Sequence, residues 1–157
     1  MTIRDAEVAD AQAIGEVHVA SWQAAYAGLM PDSFLAGLSV ESRAASWARH
    51  IGNGAGPVLV AEEDGVIAGF AAFGPGRLYA LYLLPEYWGR GLGRALHDRV
   101  VEGLPGDSAV LWVLSTNERA KAFYVRQGWV DDGATQTETI DEGRVTLEER
   151  RFRRSLP

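Results

Sequence analysis

The sequence predicts an α/β domain in which a mixed, mostly antiparallel sheet carries helices on both faces. Three observations favour this class. Short apolar runs bounded by turn residues are typical of strands. Segments with apolar residues three and four positions apart lie before and after these runs and indicate amphipathic helices. A length of 157 residues fits a single domain spanning residues 1–157.

The first third of the chain is predicted to be mainly helical. Asp10 is of a residue type preferred at helix caps, and apolar residues follow it at helical spacing. The stretch Gly52–Pro57 has the composition of a loop, and we interpret it as a connection within the domain. The predicted elements are a strand at Thr2–Ala6, a helix to about Tyr26, a helical stretch from Pro31 to Leu38, and a further turn or two around Ala44–Ala48.

The middle of the chain is predicted to form three consecutive strands. Asp64-Gly65 separates two apolar runs and is a strong signal for a two-residue hairpin. These runs are Val58–Glu62 and Val66–Phe73, and a third strand covers Leu78–Leu84.

The last part of the chain alternates helices and strands. Ala109–Leu114 is almost wholly apolar, as expected for a central strand. Gly128 occupies the position that favours a left-handed residue after a helix. The remaining predicted elements are a helix from Gly91 to about Gly103, a helix at Glu118–Gln127, a strand beginning at Trp129, a turn at Asp141–Gly143 and a strand at Arg144–Arg153.

Composition excludes several classes of function. The chain has no cysteine, which excludes disulfides, Cys-ligated metal sites and a cysteine nucleophile. Its net charge of −6 makes it a poor non-specific binder of nucleic acid or anionic membranes. No His, Asp and Glu set has metal-ligand spacing, so we expect no metal. The start of the chain has no signal-peptide pattern and no apolar run approaches ~18 residues, so we expect a cytoplasmic protein.

A glycine-rich turn between the third strand and the following helix is the most informative stretch. Gly89, Gly91 and Gly93 let successive backbone N–H groups point at one spot, and the helix N-terminus adds partial positive charge. Arg90 and Arg94 flank the glycines and can add charge-assisted hydrogen bonds. The pattern predicts a phosphate cradle, and a plain turn without a ligand is the alternative. The spacing does not fit the GxGxxG of dinucleotide-binding folds.

This stretch, Pro85-x-x-x-Gly89-Arg90-Gly91-Leu92-Gly93, resembles the acetyl-CoA pyrophosphate loop of the GCN5-related N-acetyltransferases, the GNAT superfamily. The family writes the loop as Gln/Arg-x-x-Gly-x-Gly/Ala, and Trp88 replaces its first, polar residue. The backbone cradle is unaffected by that replacement.

A second motif also resembles the family. Asn117-x-x-Ala120-x-x-Phe123-Tyr124-x-x-x-Gly128-Trp129 is similar to the Asn-x-x-Ala-x-x-Phe-Tyr-x-x-x-Gly-Phe signature, at the usual spacing from the first motif. The first helices are similar to those of one GNAT subgroup, so the resemblance extends from Ile3 to Leu156.

The resemblance implies transfer of an acetyl group from acetyl-CoA, the co-substrate, to an amine of a small molecule or a peptide. It implies direct attack through a tetrahedral intermediate, in a sheet that splays open after the third strand. The pantetheine arm would lie in that gap and bond the strand backbone as an added strand does. The implied acetyl-CoA contacts are Leu81, Tyr82, Leu83, Gly89, Arg90, Gly91, Leu92, Gly93, Arg94 and Asn117, and Asn117 also caps a helix.

Tyr124 is the candidate general acid, because a phenol with a reference pKa of about 10 is protonated at neutral pH and can donate to a departing thiolate. Many family members carry a glutamate on the third strand as general base, but Arg77–Leu84 contains no carboxylate. Glu62, Glu63 and Glu86 are near in sequence and are typical of turns or loops. Ordered water, or the binding of an already neutral amine, would serve in place of a base.

The acceptor pocket is expected between the first helices and the sheet. Its candidate residues are Trp22, Tyr26 and Tyr79, with Trp47 as a further aromatic candidate. His18 is predicted to lie on the surface or to pack, and His97 to be solvated beside the apolar stripe of its helix.

Two alternatives to catalysis stay open. One is a GNAT-fold module that senses CoA without turnover, which Trp88 and the missing strand carboxylate favour. The other is a structural or partner-binding domain with a vestigial loop. Edge pairing of the last strands is a route to a homodimer.

Overall fold

The computed structural model describes residues 1–157, which form one seven-stranded sheet with helices on both faces. The helices are α1 (Ala11–Ala25), α2 (Asp32–Ala36), α3 (Val40–Gly52), α4 (Leu92–Gly103) and α5 (Glu118–Arg126). The strands are β1 (Thr2–Asp5), β2 (Val58–Glu63), β3 (Val66–Gly74), β4 (Arg77–Leu83), β5 (Ser108–Leu114), β6 (Val130–Ile140) and β7 (Val145–Ser155). The order across the sheet is β1-β2-β3-β4-β5-β7-β6, and only β4 and β5 are parallel neighbours. The predicted mixed, mostly antiparallel sheet is confirmed.

Local turn chemistry sets the first strand pairings. Asp64 and Gly65 both have positive φ, 51° and 78°, as a type I′ hairpin turn requires. The turn therefore places Glu63 opposite Val66 and fixes the register of β2 on β3. One helix is longer than expected: α3 has 13 residues because the hydroxyl of Ser39 caps it, accepting from the Ser42 N–H at 3.0 Å.

Apolar clusters cover both faces of the sheet. On one face α4 packs through buried residues such as Leu96 and Val100 against Leu111 of β5. On the other face α1 packs through Ile14 onto Phe70 of β3. A third cluster lies beneath α2 and reaches the ends of β5 and β7; it contains Tyr26, Met30, Leu35, Leu114, Val145 and Leu147. Each large aliphatic side chain buried in this way contributes about 1.5–3 kcal/mol to folding.

The sheet splays between its two parallel strands. Arg77 and Val110 are the one aligned pair between β4 and β5, beside a hydrogen bond from the Val110 N–H to the Gly76 carbonyl at 2.9 Å. Beyond that point β4 and β5 share no backbone ladder. The backbone groups that would have formed the ladder therefore face an open gap.

The prediction for His97 is wrong. Its side chain is 1% exposed, and its Nε2 accepts a hydrogen bond of 2.8 Å from the indole N–H of Trp129. Burial lowers the pKa of His97, so the neutral acceptor form is favoured. The helix pattern placed His97 beside the apolar stripe, but the chain after α5 returns and covers that side of α4.

Candidate active site

The splayed sheet opens into a cleft of about 880 Å³. Its walls come from α1, β4, β5, α5 and the β6–β7 hairpin. Most of the residues that the sequence predicted for the site line this cleft: Trp22, Tyr26, Tyr79, Leu81, Tyr82, Leu83, Gly89, Gly91, Gly93, Arg94, Asn117 and Tyr124. Arg90, Leu92 and Trp47 do not form part of its wall. Two elements far apart in sequence thus bring both predicted motifs to one opening.

A row of free backbone amides lies at the outer end of the cleft. The N–H groups from Gly89 to Arg94 donate to no backbone carbonyl, and the first bond into α4 runs from the Ala95 N–H to the Gly91 carbonyl at 3.1 Å. Gly91 has φ +84°, a left-handed conformation that turns the loop into the helix. Free amides at a helix N-terminus form an anion site, because they supply donors and a partial positive charge.

The helix behind this row packs directly on β4. A Cβ at Gly93 would lie 3.1 Å from the Leu83 side chain and 3.5 Å from Phe123. Leu92 is buried in the core at 3% exposure, so only its backbone belongs to the loop. The guanidinium of Arg90 lies 5.2 Å from the Tyr87 ring centroid, outside the cleft wall. Of the two arginines predicted to flank the glycines, only Arg94 lines the cleft.

Trp88 contacts an arginine, Arg119, that was not predicted from the sequence as a site residue. The Trp88 indole N–H donates to the Leu83 carbonyl at 3.1 Å, which fixes the ring beside the loop. The guanidinium carbon of Arg119, on α5, lies 3.4 Å from the centroid of that ring. Burial lowers the pKa of Arg119, yet a guanidinium remains cationic at physiological pH. Arg119 forms no salt bridge and lines the cleft, so it is a cation without an anionic partner.

The free edge of β4 presents alternate peptide groups to the gap. The Leu84 N–H bonds the Ala68 carbonyl, so Tyr82 and Ala80, at alternate positions before it, use their N–H and C=O groups on β3. Leu81 and Leu83 therefore point their backbone groups at the gap, where the Leu83 carbonyl is already taken by Trp88. Tyr82 differs from the expectation, because its backbone pairs with Phe70 and only its side chain reaches the cleft.

Asn117 sits at the junction of β5 and α5. It is 6% exposed, and its Oδ1 accepts from the Ala120 N–H at 3.1 Å, which confirms the predicted cap. The Tyr26 hydroxyl lies near the same side chain. Burial raises the pKa of Tyr26 far above its ordinary value. Asn117 and Tyr26 thus line the cleft together, from the start of α5 and the end of α1.

Tyr124 faces the cleft from α5. Its ring contacts Phe123 and Trp129 edge-on, at centroid distances of 5.3 and 6.2 Å. Burial raises the pKa of the Tyr124 hydroxyl above its ordinary value, and the nearby Tyr82 hydroxyl raises it further. The phenol is therefore protonated across the physiological range and available as a proton donor.

Aromatic side chains form the wall on the α1 side. Tyr82 stacks on His18 at 5.4 Å, and Trp22 meets Tyr26 edge-on at 5.0 Å. His18 accepts from the Trp47 indole at 3.0 Å, and burial lowers the pKa of His18 to about 4. His18 is therefore neutral and its Nδ1 is occupied. Of the two alternatives predicted for it, a surface position or packing, the structure shows packing.

Tyr79 stands apart from this aromatic wall. The residue lies at a bulge, because Leu78 pairs with Phe73 and Ala80 pairs with Ala72. Its side chain is 53% exposed, and the Arg77 guanidinium carbon lies 4.8 Å from its ring centroid. Tyr79 and Arg77 together therefore form the rim of the cleft.

Two carboxylates in the cleft were not identified from the sequence. Glu138 of β6 and Glu149 of β7 line the cleft on the side of the hairpin. Burial raises the pKa of Glu138, and the neighbouring Glu149 raises it further. The alternation Gln136-x-Glu138-x-Ile140 was the available signal, but on an outer strand it indicates a solvated face.

No three His, Cys, Asp or Glu residues come together in a group that could hold a metal ion. None of the helices has the length and apolar character needed to cross a membrane.

Comparison with known proteins identifies the family. Residues 20–129 match the sequence model of the acetyltransferase (GNAT) family. The chain belongs to this family. As a GNAT protein it is an acetyl-CoA-dependent N-acetyltransferase.

Individual relatives agree with the assignment. The chain is 35% identical over 130 residues to the uncharacterized N-acetyltransferase YuaI of Bacillus subtilis, covering 74% of this chain and 73% of the relative. A GNAT structure from Rhodopseudomonas palustris superposes with a TM-score of 0.82 at 25% identity, covering 99% of this chain and 95% of that one. The yncA structure from Salmonella typhimurium with acetyl-CoA gives a TM-score of 0.69 at 26% identity, covering 100% and 94%. GNAT neighbours thus bind acetyl-CoA.

Proposed function

We propose that residues 1–157 form one catalytic domain that transfers the acetyl group of acetyl-CoA to an amine, with Tyr124 donating a proton to the departing CoA sulfur. The observation that carries the proposal is the row of free amides from Gly89 to Arg94, which opens into the same cleft as the Tyr124 hydroxyl. An anion site and a buried phenol at one opening suit a substrate with a phosphate-rich tail and a thiolate leaving group.

The free amides would hold the pyrophosphate of acetyl-CoA. The free amides suit a pyrophosphate because Gly91 is left-handed and the N–H groups beside it have no backbone partner. Arg94 and Arg119 line the same end of the cleft and would add charge. Leu81 and Leu83 would bond the pantetheine amides with their free backbone groups, as an edge strand bonds an added strand.

One backbone N–H of this strand edge would instead stabilise negative charge on the acetyl oxygen during attack. Fixed backbone donors are effective for this because they need no reorganisation as the charge develops. Tyr124 would then protonate the sulfur. Its raised pKa keeps the proton in place until a strongly basic thiolate appears.

A Tyr124→Phe variant tests the assignment of the acid. We expect its CoA release to fall about 10²–10⁴-fold while the affinity for acetyl-CoA, measured by calorimetric titration, stays at the wild-type value. Tyr87→Phe is the matched control, because Tyr87 lies in the adjacent loop and outside the cleft wall. Unchanged turnover in Tyr124→Phe would contradict the role of acid.

A CoA sensor without turnover is the second candidate, favoured by Trp88 at the polar position of the first motif and by a β4 without a carboxylate. Titration with acetyl-CoA, CoA and ADP, followed by a screen of amines for CoA release, separates the two functions. Binding without release for any amine would favour the sensor. The cytoplasmic location and the homodimer stay predictions from the sequence.

A further inference from the structure

The wall of the cleft that the β6–β7 hairpin forms contains a pair of carboxylates. Gln136 lies opposite Glu149 in the ladder, and Glu138 lies opposite Leu147. These four residues share one face of the hairpin, and all of them line the cleft. Gln136 Nε2 donates to Glu149 Oε1 at 2.9 Å and fixes that carboxylate.

The two carboxyl groups act as a unit. Glu138 and Glu149 occupy diagonal positions on this face, because Glu149 lies opposite Gln136 and Glu138 lies opposite Leu147. Like charges at neighbouring positions repel, so Glu149 adds to burial in raising the pKa of Glu138. Arg77 on β4 opposes this effect on Glu138. The titratable groups that face the pair are Arg77 and Tyr82 on β4 and Tyr26, directly after α1.

Tyr82 connects the carboxylates with the proposed acid. Its buried hydroxyl is influenced by the charges of Glu149 and Glu138, and it in turn raises the pKa of Tyr124. The carboxylates and Tyr124 are therefore electrostatically coupled to the same hydroxyl.

We propose that Glu138 and Glu149 bind the ammonium group of the acceptor and remove one of its protons, so that the acceptor is a primary amine that is cationic in solution. This inference rests on the proposed function. An ammonium has three donors, and the oxygens of two carboxylates that line one wall of the cleft offer matching acceptors. The pair thereby supplies the base that β4 lacks.

The proton balance is closed. One ammonium proton moves to the carboxylate pair, and the neutral nitrogen attacks the acetyl carbonyl carbon. The C–N bond forms and the C–S bond breaks, while the Tyr124 proton goes to sulfur. The second proton lost by nitrogen restores Tyr124 through solvent. The proton on the pair leaves to water, so one proton is released for each amide and thiol formed.

Glu149→Gln and Glu138→Gln test the inference, with Glu148→Gln as the control. Glu148 is the neighbour of Glu149 on β7, but it bonds the Ser115 hydroxyl outside the cleft, at 2.8 Å. Acetyl-CoA is assayed with 2-phenylethylamine, 1,4-diaminobutane and L-alaninamide. For the best amine, we expect the cleft variants to raise KM at least tenfold and to lower kcat/KM about 10²–10⁴-fold, with the KM for acetyl-CoA unchanged.

The pH profile adds a readout that a merely structural role would not move. Removing Glu149 removes one of the causes that raise the pKa of Glu138. The base is then ionised at lower pH, so the acid limb of kcat should shift to lower pH in Glu149→Gln. Glu148→Gln should keep the wild-type limb.

Calorimetry on the CoA complex tests binding apart from turnover. The complex should bind 2-phenylethylamine but not 2-phenylethanol, and Glu149→Gln should lose at least tenfold in affinity for the amine. Wild-type KM values and an unchanged acid limb in both cleft variants would overturn the inference. Failure of the wild-type protein to bind acetyl-CoA would overturn the proposed function instead, and the inference with it.

Discussion

Replacing Arg119 by Met removes a cation from the phosphate end of the cleft and keeps most of the apolar stem. The guanidinium lies 3.4 Å from the Trp88 ring centroid and forms no salt bridge, so its charge is available to an incoming anion. A hydrogen bond to a charged group contributes about 1.5–3 kcal/mol. At 1.4 kcal/mol per factor of ten, the variant should bind acetyl-CoA about 10–100-fold more weakly.

Calorimetric titration at low and moderate salt measures this loss. The salt dependence should be weaker in Arg119→Met than in the wild type, because the variant has one cation fewer to be screened. Trp88→Ala should reproduce most of the loss, since the arginine then has no platform. In the double variant, Arg119→Met should weaken acetyl-CoA binding little beyond the loss caused by Trp88→Ala, because the two residues act together.

A matched arginine elsewhere separates this effect from a general change in charge. Arg99 on α4 donates to the Ile3 carbonyl at 3.2 Å and lies outside the cleft wall, so Arg99→Met should leave acetyl-CoA binding unchanged. Wild-type affinity in Arg119→Met at low salt, or additive losses in the double variant, would refute the reasoning.

Three further predictions concern stability, each measured by urea unfolding. Gly91→Ala should cost about 1–2 kcal/mol, because φ +84° is strained for a residue with a Cβ; an unchanged midpoint would contradict it. Trp129→Phe should cost about 1–3 kcal/mol by leaving the buried Nε2 of His97 unpaired, and a loss below 0.5 kcal/mol would argue against that bond. The pKa of His18 is about 4 in the folded chain and about 6.5 in the unfolded chain. As the pH falls, the unfolded state therefore binds this proton before the folded state does, and stability decreases. His18 should thus lower stability by about 2 kcal/mol between pH 7 and pH 5, and His18→Phe should lack this component.

The features that the sequence predicted correctly depend on local chemistry. Asp64-Gly65 specifies a two-residue turn wherever it occurs between apolar runs, so the β2–β3 hairpin follows from the turn itself. The Asn117 cap is also local, because its partner is the N–H of Ala120 three residues later. The glycine loop was predicted for the same reason, since its free amides belong to consecutive residues.

The features that the sequence did not predict depend on distant elements meeting. Arg119 matters only because α5 returns beside Trp88, and His97 is buried only because Trp129 covers it. No periodicity within α4 or α5 contains that information. Glu138 lies on the outer strand β6, whose alternation indicates a solvated face, and it lines the cleft together with Glu149 because the hairpin that carries both closes one side of it.

The splay of the sheet accounts for both departures from the family pattern. Because β4 and β5 separate beyond Arg77, the cleft admits side chains from α5 and from the β6–β7 hairpin as well as from β4. The first motif has Trp88 where the family has a polar residue, and Arg119 can supply a cation there. β4 has no carboxylate, and Glu138 and Glu149 can supply the base. Arg119 contacts Trp88 beside the glycine loop, whereas Glu138 and Glu149 lie on the β6–β7 hairpin. The Arg119 variant should therefore change the affinity for acetyl-CoA while leaving the KM of the amine unaltered, and the glutamate variants should do the reverse.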